Sequence, residues 1–127
     1  MRRLVLATIL FAGGLGCAQA QDAAAGQKVF LVCKTCHQAG DTAKNAVGPV
    51  LNGLFGRKSG SVEGFSYTAA NKNSGITWDK TVFLDYIKDP RAKIPGTKMI
   101  FPGIKNEKEA GDLWAYLASF DASGKKK

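Results

Sequence analysis

Cys33-Lys34-Thr35-Cys36-His37 constrains this chain more than any other segment. Two cysteines three apart, with a histidine directly after the second, form the C-x-x-C-H pattern that attaches a c-type haem. If residues 28–37 are helical, Cys33 and Cys36 share one face, where two thiols can reach two neighbouring vinyl groups. His37, four residues beyond Cys33, shares that face and can set an imidazole nitrogen under the iron. It is the only histidine in the 127 residues, so no other imidazole can take that place. Two other chemistries use similar spacing. A zinc site needs about four ligands, and only two cysteines and one histidine remain once the leader is set aside. A thioredoxin-like thiol pair follows a strand in a βαβ unit, and no such unit is legible here.

Residues 1–20 read as a cleaved signal peptide. Arg2 and Arg3 precede a thirteen-residue apolar stretch from Leu4 to Gly16. That run is shorter than the ~20 residues needed to span a bilayer and fits a signal-peptide core. Ala18-Gln19-Ala20 is an A-x-A cleavage site, so the mature chain is expected to start at Gln21 and to reside in the periplasm. An uncleaved anchor is the alternative. Lipid attachment at Cys17 is another, but Gly14 stands where a lipoprotein signal usually has a bulky aliphatic. Export suits the chemistry, because c-type haem is attached outside the bacterial cytoplasm.

The remaining 107 residues, 21–127, are enough for one small domain with one core. Chains this short often need a staple, and a covalently held haem is a large apolar one. With Arg2 and Arg3 set aside, 16 basic residues face 10 acidic ones, a formal +6. Such a charge suits nucleic acid, an anionic membrane or an acidic protein surface. The basic residues are dispersed and carry no nucleic-acid motif, which favours an acidic protein partner. Residues 121–127, ending in Lys125-Lys126-Lys127, read as a flexible, solvated tail.

Helical signals alternate with glycine-rich loops. Asp22 is placed to cap a helix over 23–36, whose Val29, Phe30 and Cys33 would face inward. Six glycines between 38 and 68, with Pro49, indicate turns rather than a sheet. A short helical piece fits 69–74. Asp79 or Thr77 caps a helix to about residue 88 with Val82, Phe83, Tyr86 and Ile87 as its apolar stripe, and Asp89-Pro90 ends it. Asn106 with Glu109 resembles a capping box opening a last helix over 107–120. There Ala110, Leu113, Trp114, Leu117 and Phe120 recur at helical spacing. No alternation marks a strand and no repeat is visible. The expected fold is all-α, a small single domain with three main helices and long loops around one cofactor.

The sixth position on the iron decides what such a haem does. Apart from Met1, the only methionine is Met99, in a loop from Ile94 to Gly103 bracketed by prolines and glycines. Such bracketing narrows the loop's freedom and can hold one side chain in a fixed pose. An isolated methionine is more often a gap-filling core residue. Here an iron needs a second axial ligand, and no other Met or His remains. A thioether favours the ferrous state and raises the reduction potential. With both axial positions filled, the iron is closed to oxygen and peroxide, which argues for electron transfer and against an enzyme.

Further segments join these features: Val47-Gly48-Pro49, Asn52-Gly53-Leu54-Phe55-Gly56-Arg57, Gly64-Phe65-Ser66-Tyr67, the run from Asn71 to Trp78, and Pro95-Gly96-Thr97-Lys98-Met99. With them the chain resembles a class I cytochrome c, closest to the soluble cytochrome c2 type of purple bacteria. The likeness covers residues 22–120 and runs without gaps against mitochondrial cytochrome c from Cys33 to the last helix. Two departures stand out. The stretch between Phe30 and Cys33 is one residue shorter than in the mitochondrial proteins, and Pro102 follows Phe101 where a small residue is more usual.

The resemblance implies a haem c bonded to Cys33 and Cys36 with His37 and Met99 as axial ligands. It implies that the Pro49 carbonyl accepts from the His37 ring, fixing its tautomer and raising its basicity. Tyr86 would donate to the Met99 sulfur. Arg57, Tyr67, Trp78 and Thr97 would bind the haem propionates, with Asn71 in a buried water network near them and Phe101 beside the haem. Gly26, Phe30, Leu113 and Tyr116 match the family's crossing of first and last helices. Lys28, Lys34, Arg91, Lys98 and Lys105 match or adjoin positions ringing the exposed haem edge, where they would steer an acidic partner. Lys72, Lys80 and Lys108 read as general solubilisers.

The implied role is a monomeric, periplasmic one-electron carrier. By resemblance its donor is the ubiquinol–cytochrome c oxidoreductase complex, and its acceptor a photosynthetic reaction centre, a terminal oxidase, or both. Two rivals come from other classes. A haem enzyme or gas sensor needs a vacant sixth site, against which Met99 speaks, and a thiol-disulfide oxidoreductase would leave Cys33 and Cys36 free.

Overall fold

The computed structural model describes residues 21–127, so the expected leader, 1–20, lies outside the described residues. The elements run α1 (Ala23–Val29), a 3-10 turn (Phe30–Val32), α2 (Ala69–Lys72), α3 (Lys80–Tyr86), α4 (Pro90–Lys93) and α5 (Glu107–Ala118). Three helices are longer and two are single turns. Among the described residues the only extended pairings are two isolated bridges, Lys58 with Thr77 and Phe120 with Lys126. The fold class is all-α, as expected.

Each helix begins on a side-chain oxygen that takes an otherwise unpaired backbone N–H. Asp22 caps α1 by accepting from Ala24 N–H at 2.8 Å, and Thr68 caps α2 through Asn71 N–H at 3.3 Å. Asp79, not Thr77, caps α3 through Val82 N–H at 2.8 Å. Asn106 caps α5 through Glu109 N–H at 3.0 Å.

Two expectations need correction. The first helix was expected over 23–36, yet it tightens at Phe30 into 3-10 geometry and continues as turns through Cys36. Periods of 3.6 and 3.0 residues cannot be told apart over three positions, which hid the change. Asp89-Pro90 ends α3 but also opens α4, with Pro90 at its first position and Asp89 accepting from Ala92 N–H at 3.1 Å. Proline's fixed φ suits a helix start as well as a stop.

The core is built on the crossing of α1 and α5. At Gly26 the backbones approach so closely that a Cβ would run into the Asp112 carbonyl and lie 2.8 Å from Tyr116 Cβ. Phe30, 1 % exposed, packs on Tyr116 with ring centres 5.3 Å apart. Asp112 ties the crossing from the side: its carboxylate accepts from Asp22 N–H at 2.8 Å and from Lys108 Nζ at 2.7 Å. Phe83 of α3 leans on Trp114 of α5 at 5.2 Å, and Trp114 meets the exposed Phe55 at 5.9 Å.

Residues 121–127, expected as a flexible tail, fold back onto the end of α5. Lys127 N–H donates to Ser119 O at 2.9 Å, and Lys126 Nζ lies 4.4 Å from the Phe120 ring centre. All three lysines are exposed, and one ammonium also has an aromatic face to sit on, which a pattern of charges does not reveal.

Candidate cofactor site

Between the helices and the long loops lies a cavity of about 460 Å³, within the roughly 300–1,000 Å³ typical of cofactor sites. Cys33, Cys36, His37, Pro49, Arg57, Tyr67, Asn71, Trp78, Tyr86, Thr97, Met99 and Phe101 all line it. The chain thus brings together residues spread over nearly seventy positions, every one of those assigned to the haem by resemblance.

Cys33 and His37 are set by the tightened end of the first helix. Cys36 N–H and His37 N–H both donate to the Cys33 carbonyl, at 3.0 and 2.8 Å, so one turn carries both thiols and the imidazole. Burial pushes the Cys33 thiol up to about 11, with the neighbouring Cys36 adding to the effect. The His37 Nδ1 lies 2.7 Å from the Pro49 carbonyl oxygen, and the ring N–H donates there. That leaves Nε2 as the free nitrogen. Burial holds the imidazole below its ordinary pKa, the bond to Pro49 opposes this, and the nearby Arg57 charge lowers it further. A neutral imidazole with its Nδ1 proton committed is the form that ligates a metal. Gly48 is required here, because a Cβ would strike the His37 ring.

Met99 is fixed from two directions. Its N–H donates to Thr97 Oγ1 at 3.2 Å, and its sulfur accepts from the Tyr86 hydroxyl at 3.0 Å. Tyr86 is itself held by Trp78, edge to face at 4.7 Å, and burial raises its phenol to about 12, so it stays a donor. The neighbouring Lys98 donates to the Ser66 carbonyl and covers the Phe65 ring at 4.6 Å, which joins this loop to the 60–67 segment.

A third group of polar atoms occupies the side formed by residues 57–71. Arg57 Nη1 donates to Asn52 O at 2.8 Å and Val50 O at 3.1 Å, and burial lowers its pKa from the ordinary guanidinium value. Tyr67 Oη accepts from Val62 N–H at 3.1 Å, which leaves the hydroxyl proton to donate elsewhere. Asn71 Oδ1 accepts from Thr68 Oγ1 at 3.0 Å. The Arg57 guanidinium and the Tyr67 hydroxyl, with Lys58 also lining this side, suit an anion at the edge of an otherwise apolar cavity.

These residues fit a haem. Two thiols on one turn, an imidazole with one free nitrogen, a thioether held by a phenol, an apolar interior and a donor cluster for carboxylates meet each of its chemical needs. Sequence reasoning missed Asn52, which is buried and exchanges two hydrogen bonds with Gly40, both 2.8 Å. It also missed Val32, Val47 and Ile100, which line the cavity yet stand 59 %, 72 % and 89 % exposed, making an apolar rim. Lone apolar residues in loops carry no period that could have announced them.

Of the residues assigned to partner docking, Lys28, Lys34 and Arg91 are exposed. Lys98 and Lys105 are exposed too, but each donates to a main-chain carbonyl, Ser66 and Lys88 respectively. Their charges are at the surface while their side chains are tethered.

Comparison with known proteins agrees with this geometry. The family described as Cytochrome c matches residues 23–121. Cytochrome c2 of Blastochloris viridis is 59 % identical over 127 residues, covering all of both chains. Cytochrome c2 of Rhodoplanes tepidamans is 65 % identical over 107 residues, 84 % of this chain and all of that one. Among solved structures, cytochrome cH from Methylobacterium extorquens superposes with a TM-score of 0.72 at 47 % identity, covering 76 % of this chain and 97 % of that one.

Proposed function

The chain belongs to the cytochrome c family and is an electron carrier with a covalently bound haem c, and from that premise we propose that His37 and Met99 are its two axial ligands and Cys33 and Cys36 its thioether attachments. The haem supplies a one-electron ferric/ferrous couple. The protein's part is to set the potential of that couple, exclude water and present an edge for docking. The His37 ring N–H on Pro49 makes the imidazole a stronger donor, which favours the ferric state. Met99 favours the ferrous state. The Tyr86 proton on the sulfur draws electron density from it and pushes in the same direction as the thioether. Arg57, Tyr67, Trp78, Thr97 and Asn71 hold the propionate side, and Phe101 closes the cavity near Met99.

The observation that carries this reading is the Tyr86–Met99 bond of 3.0 Å inside the same cavity that holds Cys33, Cys36 and His37. A merely space-filling methionine does not need a buried phenol aimed at its sulfur. In ferric wild type the weak long-wavelength band of sulfur-bound haem is expected, and Met99→Ala should lose it and bind cyanide faster. A wild type without that band near neutral pH removes Met99 as the ligand.

The proposed setting is the periplasm, reached by export and cleavage after Ala20. The proposed donor is the ubiquinol–cytochrome c oxidoreductase complex, and the acceptor a photosynthetic reaction centre, a terminal oxidase, or both. Both would be met by a monomer through Lys28, Lys34, Arg91, Lys98 and Lys105 on acidic faces. The exposed apolar rim at Val47 and Ile100, on a chain with an excess of basic residues, supports such contact. Among the described residues no helix is long and apolar enough to cross a membrane.

A further inference from the structure

The end of the chain turns back onto the loop that carries Pro49. Asp121 organises the turn, its carboxylate accepting from Ser123 N–H at 2.9 Å, Ser123 Oγ at 2.7 Å and Lys125 N–H at 3.0 Å. The backbone closes it through Asp121 N–H to Lys125 O at 2.9 Å and Lys127 N–H to Ser119 O at 2.9 Å. Lys126 anchors it over the rings of Phe120 and Tyr116, at 4.4 and 4.8 Å from their centres.

The opposite face of the turn is pressed on the loop. Gly124 is buried at φ +82°, and a Cβ there would strike the Gly40 carbonyl and lie 2.6 Å from Asn52 Nδ2. Gly53 meets the turn as well, since a Cβ on it would lie 2.8 Å from Ala122 Cα. Gly40 and Asn52 form a two-bond clasp: Gly40 N–H donates to Asn52 Oδ1 and Asn52 Nδ2 donates to Gly40 O, each at 2.8 Å. Beside the clasp Leu51 N–H donates to Gln38 O at 3.0 Å, two residues from the Pro49 carbonyl on His37.

We propose that residues 121–127 are a positioning strap, which keeps the Gly40–Asn52 clasp closed and thereby holds the Pro49 carbonyl on the His37 ring. The inference rests on the reading of His37 as a haem ligand. The strap touches the cavity nowhere and acts only through the loop. Its consequence is electronic, because a ring that keeps its bond to Pro49 is the stronger donor and favours the ferric state. A loosened strap therefore raises the reduction potential.

The test compares the haem-loaded full-length chain with Gly124→Ala, which pushes a side chain into the Gly40 carbonyl and leaves every cavity-lining residue in place. A chain ending at Phe120 is the second variant. Amide exchange by NMR at Gly40 and Leu51 should quicken at least about tenfold, as a locally opened segment does. Gly26 and Ala110, in the α1–α5 pair, should change little, and the midpoint potential should rise. Unchanged protection at Gly40 and Leu51 overturns the proposal. So does uniform quickening at all four amides, which is general destabilisation, and so does faster exchange with an unmoved potential. Should the shortened chain not hold haem, Gly124→Ala decides alone. The ligation reading is checked separately in ferric wild type by its hyperfine-shifted imidazole protons. Their absence removes His37 as ligand whatever the exchange data show.

Discussion

A phenol proton bonded to a thioether sulfur takes density that the sulfur would otherwise give to a metal. Tyr86 makes that bond at 3.0 Å, so its removal has a direction. Tyr86→Phe keeps the ring against Trp78 and deletes only the hydroxyl. The sulfur becomes the better donor, the ferric state gains, and the midpoint potential falls in a redox titration. An unchanged or higher potential would show that the bond does not tune the couple. At the same scale, Asp112 offers a test in pH. The Asp22 N–H, and then Lys108, hold its carboxyl below the ordinary carboxylate range. A depressed folded pKa contributes stability that is present above the unfolded value and lost as pH falls through the folded one. Asp112→Asn should therefore be less stable than wild type at neutral pH. The two urea curves should draw together as pH falls below the ordinary carboxylate range and through the depressed folded value, as Asp112 takes up its proton.

At the scale of elements, the crossing of α1 and α5 depends on one missing methyl. Gly26→Ala places a Cβ into the Asp112 carbonyl, a backbone atom that cannot swing aside. The helices must separate, at a cost of at least the ~1–3 kcal/mol of an overpacked site, read as a lower urea midpoint at unchanged slope. Caps and stripes made these helices legible beforehand: Asp22, Asp79 and Asn106 each stand one residue ahead of a helix with an apolar stripe. What could not be read was set by contact at a distance. Nothing local to Phe30 says that the helix tightens there, and nothing in Lys125-Lys126-Lys127 names Tyr116 and Phe120 as its seat. The cavity was legible in a different way. Cys33, Cys36, His37 and Met99 announce themselves by scarcity and spacing, and the propionate-side residues by resemblance. Asn52 is a common polar residue in a loop, and its clasp with Gly40 exists only in the folded chain.

For the whole molecule, charge and apolar rim divide the work of meeting a partner. Cations act over the Debye length, which shrinks from ~10 Å at 0.1 M to ~3 Å at 1 M salt, whereas apolar contact acts only on touching. Lys34 and Arg91 are exposed, so Lys34→Glu or Arg91→Glu tests steering without untying a loop, as Lys98→Glu would. Either change should slow second-order electron transfer to an acidic partner and flatten its fall with ionic strength, leaving the haem spectrum as it was. Lys80→Glu should matter much less. Stopped-flow rates that fall equally for all three would assign the lysines to solubility and docking to the rim at Val47 and Ile100.

The bond between Asp22 and Asp112 joins residues 90 apart, and the helices that meet there are the first and last of the fold. A chain emerging from the ribosome cannot close that seam until the segment carrying Asp112 has been made. Throughout synthesis it therefore travels as an open thread, the form in which a polypeptide can be drawn lengthwise through a narrow channel. In that thread Cys33 and Cys36 are reachable from every side, whereas in the folded molecule both are half-buried in the wall of the cavity. A pigment bonded to Cys33 and Cys36 would be attached more readily before that seam closes than after it.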